Sequence, residues 1–126
     1  MLDKKKILVV DDELLIQNLF RYLLEPKYEV YSINNGREAL DFLMTDVIID
    51  LIITDLEMPI LNGTELIEQL NTIESLRTKV PIIMISGNSE FDPNSLIQSN
   101  KIHSFMRKPI RGDLFKTEIA TLLDKN

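Results

Sequence analysis

The chain has no cysteine, which excludes a disulfide framework, a thiolate metal site and a cysteine nucleophile. Tryptophan is absent as well, and histidine occurs once, as His103. A single imidazole cannot build a His-rich metal site, and it leaves histidine-based acid/base catalysis without a partner. Apolar runs stop at four or five residues, far short of the roughly 20 that a membrane-spanning helix needs. The basic start Lys4-Lys5-Lys6 leads into a short apolar run and then two aspartates, which is not the pattern of a signal peptide. A cytoplasmic protein that does not engage a membrane is therefore expected. Positive charge is also in short supply. Fourteen Lys and Arg face 20 Asp and Glu, a net charge of −6, so the chain lacks the electrostatic footprint of direct nucleic-acid binding.

What remains is 126 residues, 44% hydrophobic and 27% charged, enough for one core without staples. Residues 7–10 are an unbroken β-branched apolar run that ends at Asp11-Asp12. A run without alternation predicts a strand buried on both faces, as in a parallel sheet. The period then changes. Leu15, Leu19 and Leu23, with Ile16 and Phe20 beside them, predict a helix over 13–24 that Pro26 terminates. Residues 29–33 alternate as a strand nearer an edge, and Asn34-Asn35-Gly36 marks a turn. A helix over 37–44 follows, then a buried strand over 51–54 running into Asp55.

Thr64 is a candidate cap for a helix with Leu66, Leu70 and Ile73 inward, and Gly63 reads as a backbone requirement after Asn62. A fourth strand spans 81–85. Residues 89–101 offer only Leu96 and Ile97 as apolar anchors, which predicts a short, mobile helix with Asp92 as N-cap and Pro93 at its first position. A strand over 103–106 and a helix over 111–124, carrying Phe115, Ile119, Leu122 and Leu123, complete the pattern. Five strands alternating with five helices predict an α/β fold, a doubly wound parallel sheet. A single domain over 1–126 is expected, with the last helix leaving no room for an output domain.

In an open parallel sheet, ligands bind beyond the C-terminal strand ends. There the sequence places Asp11 and Asp12, Asp55 with Glu57, Ser86, and Lys108 followed by Pro109. Each of these is unremarkable alone. An Asp-Asp pair is usually a solvated loop, a serine a turn residue and a lysine a surface charge. They gain meaning as a set at one edge. Several acids close together call for a counter-charge, and Mg²⁺ with oxygen ligands supplies it. Mg²⁺ and a lysine together can neutralise a phosphoryl group in transfer, and an aspartate is a competent nucleophile for phosphorus. These residues therefore predict a Mg²⁺-dependent phosphoaspartate site. Composition does not choose which aspartate is the nucleophile.

Four segments carry a resemblance to a known family. Residues 6–13 (Lys-Ile-Leu-Val-Val-Asp-Asp-Glu), 50–59 (Asp-Leu-Ile-Ile-Thr-Asp-Leu-Glu-Met-Pro), 85–87 (Ile-Ser-Gly) and 105–109 (Phe-Met-Arg-Lys-Pro) occur in the order and spacing of the receiver domain of two-component response regulators. The chain resembles that family over nearly its whole length. The resemblance implies the flavodoxin-like strand order 2-1-3-4-5. It implies Asp55 as phosphoacceptor and Mg²⁺ held by Asp11, Asp12, Asp55 and the backbone carbonyl of Glu57. Ser86 and Lys108 would then grip phosphoryl oxygens, Phe105 would take the place of the switch aromatic, and the peptide before Pro109 would be cis. The implied partners are a histidine kinase or histidine phosphotransfer protein as donor, and a downstream protein target. No enzymatic activity is implied beyond the domain's own phosphorylation and autodephosphorylation.

Two forms of this reading stay open, a stand-alone regulator and a receiver belonging to a longer hybrid kinase. A rival class is a Mg²⁺-dependent phosphatase with an aspartyl nucleophile, for which Asp55-Leu56-Glu57 would supply nucleophile and general acid. Met58-Pro59 departs from the small-residue turn of such enzymes. Residues 96–104 lack the alanine- and glycine-rich pattern common in receiver domains before the last strand, and Glu57 and Asn88 occupy positions that vary in that family and flank the site.

Overall fold

The structure is a computed structural model that describes residues 3–73 and 80–124. Five strands and five helices alternate: β1 Lys6–Val10, α1 Leu14–Leu24, β2 Glu29–Ile33, α2 Gly36–Leu43, β3 Leu51–Asp55, α3 Gly63–Asn71, β4 Ile82–Ser86, α4 Asn94–Gln98, β5 Ser104–Arg107 and α5 Gly112–Leu123. All strand pairs are parallel and the order is β2-β1-β3-β4-β5, as the sequence predicts.

Neighbouring residues of the central strands point to opposite faces. Ile7, Val9, Ile53, Ile83 and Ile85 pack with Phe20 and Leu24 of α1 and Phe115 and Ile119 of α5. Leu8, Val10, Ile52 and Met84 pack with Ala39, Leu43, Leu66, Ile67 and Leu70 of α2 and α3. Burial on both sides explains why these strands read as continuous apolar runs. Phe20 and Phe115 meet at 5.0 Å between ring centroids and tie α1 to α5.

Several local expectations need correction. The inward face of α1 is Gln17, Phe20 and Leu24, while Leu15 is 84% exposed. Gln17 rotates the helix: its amide donates to the Asp11 carbonyl at 2.6 Å and to Asn34 Oδ1 at 2.9 Å. The cap of α3 is Asn62 rather than Thr64. Asn62 Oδ1 accepts the Glu65 N–H and the Glu65 carboxylate accepts the Asn62 N–H, a reciprocal capping box. Asn35 is not merely a turn residue but caps α2 by accepting the Glu38 N–H. Pro93 is itself the N-cap of α4, so that helix begins one residue later than expected, and Asp92 accepts the Asn94 N–H from outside it. The helix is short and buries none of its residues, as its two anchors predict. Strands β4 and β5 each lie one residue further along than expected. Among the described residues, no helix is long and apolar enough to cross a membrane.

Candidate functional site

Parallel registry brings the strand ends level. Val10 pairs with Thr54, Asp55 with Ile85 and Ser86 with Arg107. Asp11, Asp55, Ser86 and Lys108 therefore meet at one edge of the sheet. Gly63 lets α3 close beneath Asp55. A Cβ on it would lie 2.5 Å from the Asp55 carbonyl oxygen and 3.0 Å from Leu56 Cα. The requirement is close approach, because no described glycine has a positive φ.

Asp11, Asp12 and Asp55 each offer a carboxylate oxygen within 4.8 Å of the others. Asp11 and Asp55 are buried and Asp12 is exposed. Lys108 Nζ lies 3.4 Å from Asp55 Oδ1, 3.5 Å from Asp11 Oδ2 and 3.0 Å from Glu13 Oε1. Asp11 Oδ1 accepts the Glu13 N–H at 2.8 Å. Its buried Oδ2 has no hydrogen-bond partner among the described residues. A buried carboxylate oxygen that accepts no hydrogen bond and faces only the Lys108 ammonium at 3.5 Å, beside two further carboxylates, is a donor set for a hard cation.

The electrostatics follow from burial. Desolvation, and then the charge of Asp11, push the Asp55 carboxyl up to about 6, against the pull of Lys108. Desolvation also raises Asp11, opposed by the Glu13 N–H and Lys108. For Lys108, burial acts downward, but Glu13, Asp11 and Asp55 together outweigh it and its pKa is raised. The ammonium stays charged and the two buried acids compete for it.

Ser86 is buried, and its Oγ accepts the Asn88 N–H at 2.9 Å. A hydroxyl that accepts in this way keeps its own proton to donate. The Glu57 carboxylate turns to Asn88 Nδ2 at 3.3 Å and lies outside the three-acid cluster. Phe105 is half-buried, with Phe91 at 5.6 Å on one side and the Arg107 guanidinium 4.8 Å from its centroid. The Lys108–Pro109 peptide is cis. His103 is exposed and away from the cluster.

Sequence reasoning missed two participants. Glu13 ends the run of acids at the first turn of α1, and that adjacency was an available signal. Arg107 stands two residues after Phe105, which puts both on one face of β5. Asn88 was legible only as a position flanking the site: its bonds to Ser86, Glu57, Glu90, Phe91 and Arg107 depend on how the loop after β4 folds.

Comparison with known proteins agrees with this geometry. The response regulator receiver domain family matches residues 7–120. The CAI-1 autoinducer sensor kinase/phosphatase CqsS of Vibrio cholerae is 33% identical over 118 residues, which is 93% of this chain but 17% of that protein. The polar-differentiation response regulator DivK of Brucella anthropi is 31% identical over 94% of this chain and 96% of its own length. The crystal structure of the signal receiver domain of a signal transduction histidine kinase from Syntrophus aciditrophicus superposes with a TM-score of 0.79 at 31% identity, covering 95% of this chain and 90% of that one. None of these favours the aspartyl phosphatase alternative. A match over almost the entire sheet, with the acids and the lysine at the ends of its strands, places this chain in the receiver domain family of two-component response regulators.

Proposed function

We propose that the chain takes a phosphoryl group onto Asp55 from a phosphohistidine of a histidine kinase or phosphotransfer protein, and signals by a change of shape. The observation that carries this reading is the buried Asp55 carboxylate facing Lys108 at 3.4 Å inside a three-acid cluster. An Asp55 carboxylate oxygen attacks phosphorus, the P–N bond breaks, and the imidazole leaves with its electron pair. Lys108 is in place to neutralise charge on the transferred group, and the unspent Ser86 proton can bond a phosphoryl oxygen. The cation that fits the oxygen donor set is Mg²⁺, held by Asp11, Asp12, Asp55 and the Glu57 carbonyl. When bound, it neutralises charge on the phosphoryl oxygens.

A macromolecular donor is supported by the surface beside the site. Helix α1 starts at the acidic edge and presents Leu15 and Tyr22, 84% and 82% exposed and seven residues apart, with Leu14 also exposed. Two turns of outward apolar side chain next to the nucleophile suit an apolar helix of the phosphodonor. We assign no turnover of outside substrates and a cytoplasmic location, with a protein as the downstream target.

The test is intact mass after incubation with a small acyl phosphate, with and without Mg²⁺. One acid-labile phosphoryl group per chain, dependent on Mg²⁺ and lost in Asp55→Asn, is expected. Undiminished labelling of Asp55→Asn, or steady turnover of simple phosphate esters, would contradict the reading.

A further inference from the structure

We infer that Arg107 is a positioning residue that fastens the loop after β4 to the Phe105 ring, so that the two move as one when Asp55 is modified. The inference rests on the phosphoacceptor reading and adds a residue to it.

The contacts form a closed circuit. Arg107 Nη1 donates to the Asn88 carbonyl, and Nη2 donates to the Phe91 carbonyl at 2.7 Å. The Phe91 N–H in turn donates to the Asn88 carbonyl at 3.2 Å. One guanidinium thus holds both ends of the 88–91 turn. The same guanidinium covers Phe105, whose ring packs on Phe91. At the other end of the turn, the Asn88 N–H holds Ser86 Oγ and its amide reaches Glu57. Asn88 Oδ1 accepts the Glu90 N–H as well. Every polar group of Asn88 is therefore engaged, and it cannot shift without pulling on the fork of Arg107. The next residue, Lys108, donates its N–H to the Ser86 carbonyl. Arg107 thus stands between the two groups that would grip a phosphoryl oxygen and the aromatic that reports it.

The chemistry of the side chain matters here. Arginine presents parallel N–H groups in a planar fork that can meet two carbonyls while its face stacks on a ring. Lysine, a point charge on a flexible stem, cannot satisfy both carbonyls and the ring in one geometry. Arg107 is exposed, so its removal leaves the core intact and changes coupling rather than folding. The helix that follows the loop buries no residue and so adds little to hold it.

The experiment follows backbone amide and aromatic ring resonances of the full chain as Mg²⁺ with beryllium fluoride, a phosphoryl mimic, is added. In the wild type, the amides of Ser86 and Asn88 and the ring of Phe105 should shift together with one midpoint. In Arg107→Ala, the Ser86 and Asn88 amides should still respond, while the Phe105 ring shift falls to less than half of its wild-type size. Arg107→Lys should fall between the two. A Phe105 ring that follows the mimic fully in Arg107→Ala overturns the inference, and full coupling in Arg107→Lys overturns the role given to the fork. A wild-type ring that stays still while the amides shift also overturns it. A wild type in which no residue near Asp55 responds overturns the phosphoacceptor reading itself, and the inference with it.

Discussion

Removing the charge of Asp55 should stabilise the metal-free protein, and by an amount that depends on pH. Its carboxyl titrates at about 6 in the folded chain, against an ordinary value of 3.8. The folded chain therefore holds a proton that the unfolded chain releases between about pH 4 and 6. Stability falls as pH rises through that window, and the loss is complete above pH 6. The differential amounts to about 3 kcal/mol at pH 7.5. Asp55→Asn keeps the shape of the protonated acid, and the new amide can donate toward Asp11 Oδ2, which accepts no hydrogen bond. The variant should then exceed the wild type by about 3 kcal/mol at pH 7.5, about 1.5 at pH 5 and about 0.5 at pH 4. In melting temperature the first figure is roughly 10 °C for a chain of this size. Urea or thermal unfolding of both proteins in a chelator, from pH 4 to 8, reads these gaps directly. A gap that does not change with pH, or a variant less stable than the wild type at pH 7.5, would refute the argument that Asp55 is held ionised against desolvation.

Other perturbations test the same edge. Lys108→Met removes the ammonium shared by Asp55, Asp11 and Glu13 and should cost about 2 kcal/mol at pH 7.5, less at pH 5 where Asp55 is protonated, by urea unfolding. Mg²⁺ should raise the wild-type melting temperature at pH 7.5 and lose much of that effect below pH 6 as Asp55 takes up its proton, by calorimetric titration across that range. Gly63→Ala drives a Cβ into the Asp55 carbonyl and Leu56. It should cost about 1–3 kcal/mol and slow labelling by an acyl phosphate, and unchanged unfolding would show that α3 can back away from β3.

The sheet was readable because its central strands are buried on both faces. Ile7 to Val10 and Ile82 to Ile85 carry apolar side chains toward both helical layers, so each appears as an unbroken run that few other contexts permit. Helix faces and caps were less readable, since they depend on single hydrogen bonds made at a distance. The stripe of Leu15, Leu19 and Leu23 is only partly inward: Leu23 and Ile16 pack at the edge of the core, while Leu15 is exposed and Gln17, bonded to Asp11 and Asn34, takes an inward place. Thr64 looked like a cap because the sequence does not tell that α3 must begin at Gly63, where only hydrogen fits against the Asp55 carbonyl. The site shows the same division. Strand ends placed Asp11, Asp55, Ser86 and Lys108 correctly, whereas the reach of Glu13 to Lys108 and the fork of Arg107 depend on side-chain directions that spacing does not encode.

The edge of the sheet combines stability and readiness in a way that its burial pattern explains. Local preference along one strand cannot put two acids side by side in the interior; it takes a register that makes β1 and β3 end level. Having done so, the fold leaves Asp55 and Asp11 competing for one ammonium, and leaves one Asp11 oxygen without a hydrogen bond. Such local conflict in an otherwise consistent structure is the mark of a functional site. Asp12 is different, because it is exposed. Its charge adds to the cluster that faces a cation at little cost to the apo fold, so the stabilising effect of charge removal should sit with the buried Asp55 and Asp11 rather than with Asp12. The same carboxylates that should lower the stability of the bare chain would favour a bound cation, since each interaction missing in the apo state is one that a cation can supply. A cation bound there would relieve the repulsion between Asp11 and Asp55, keep Asp55 ionised at lower pH, and free Lys108 from the competition between the two acids.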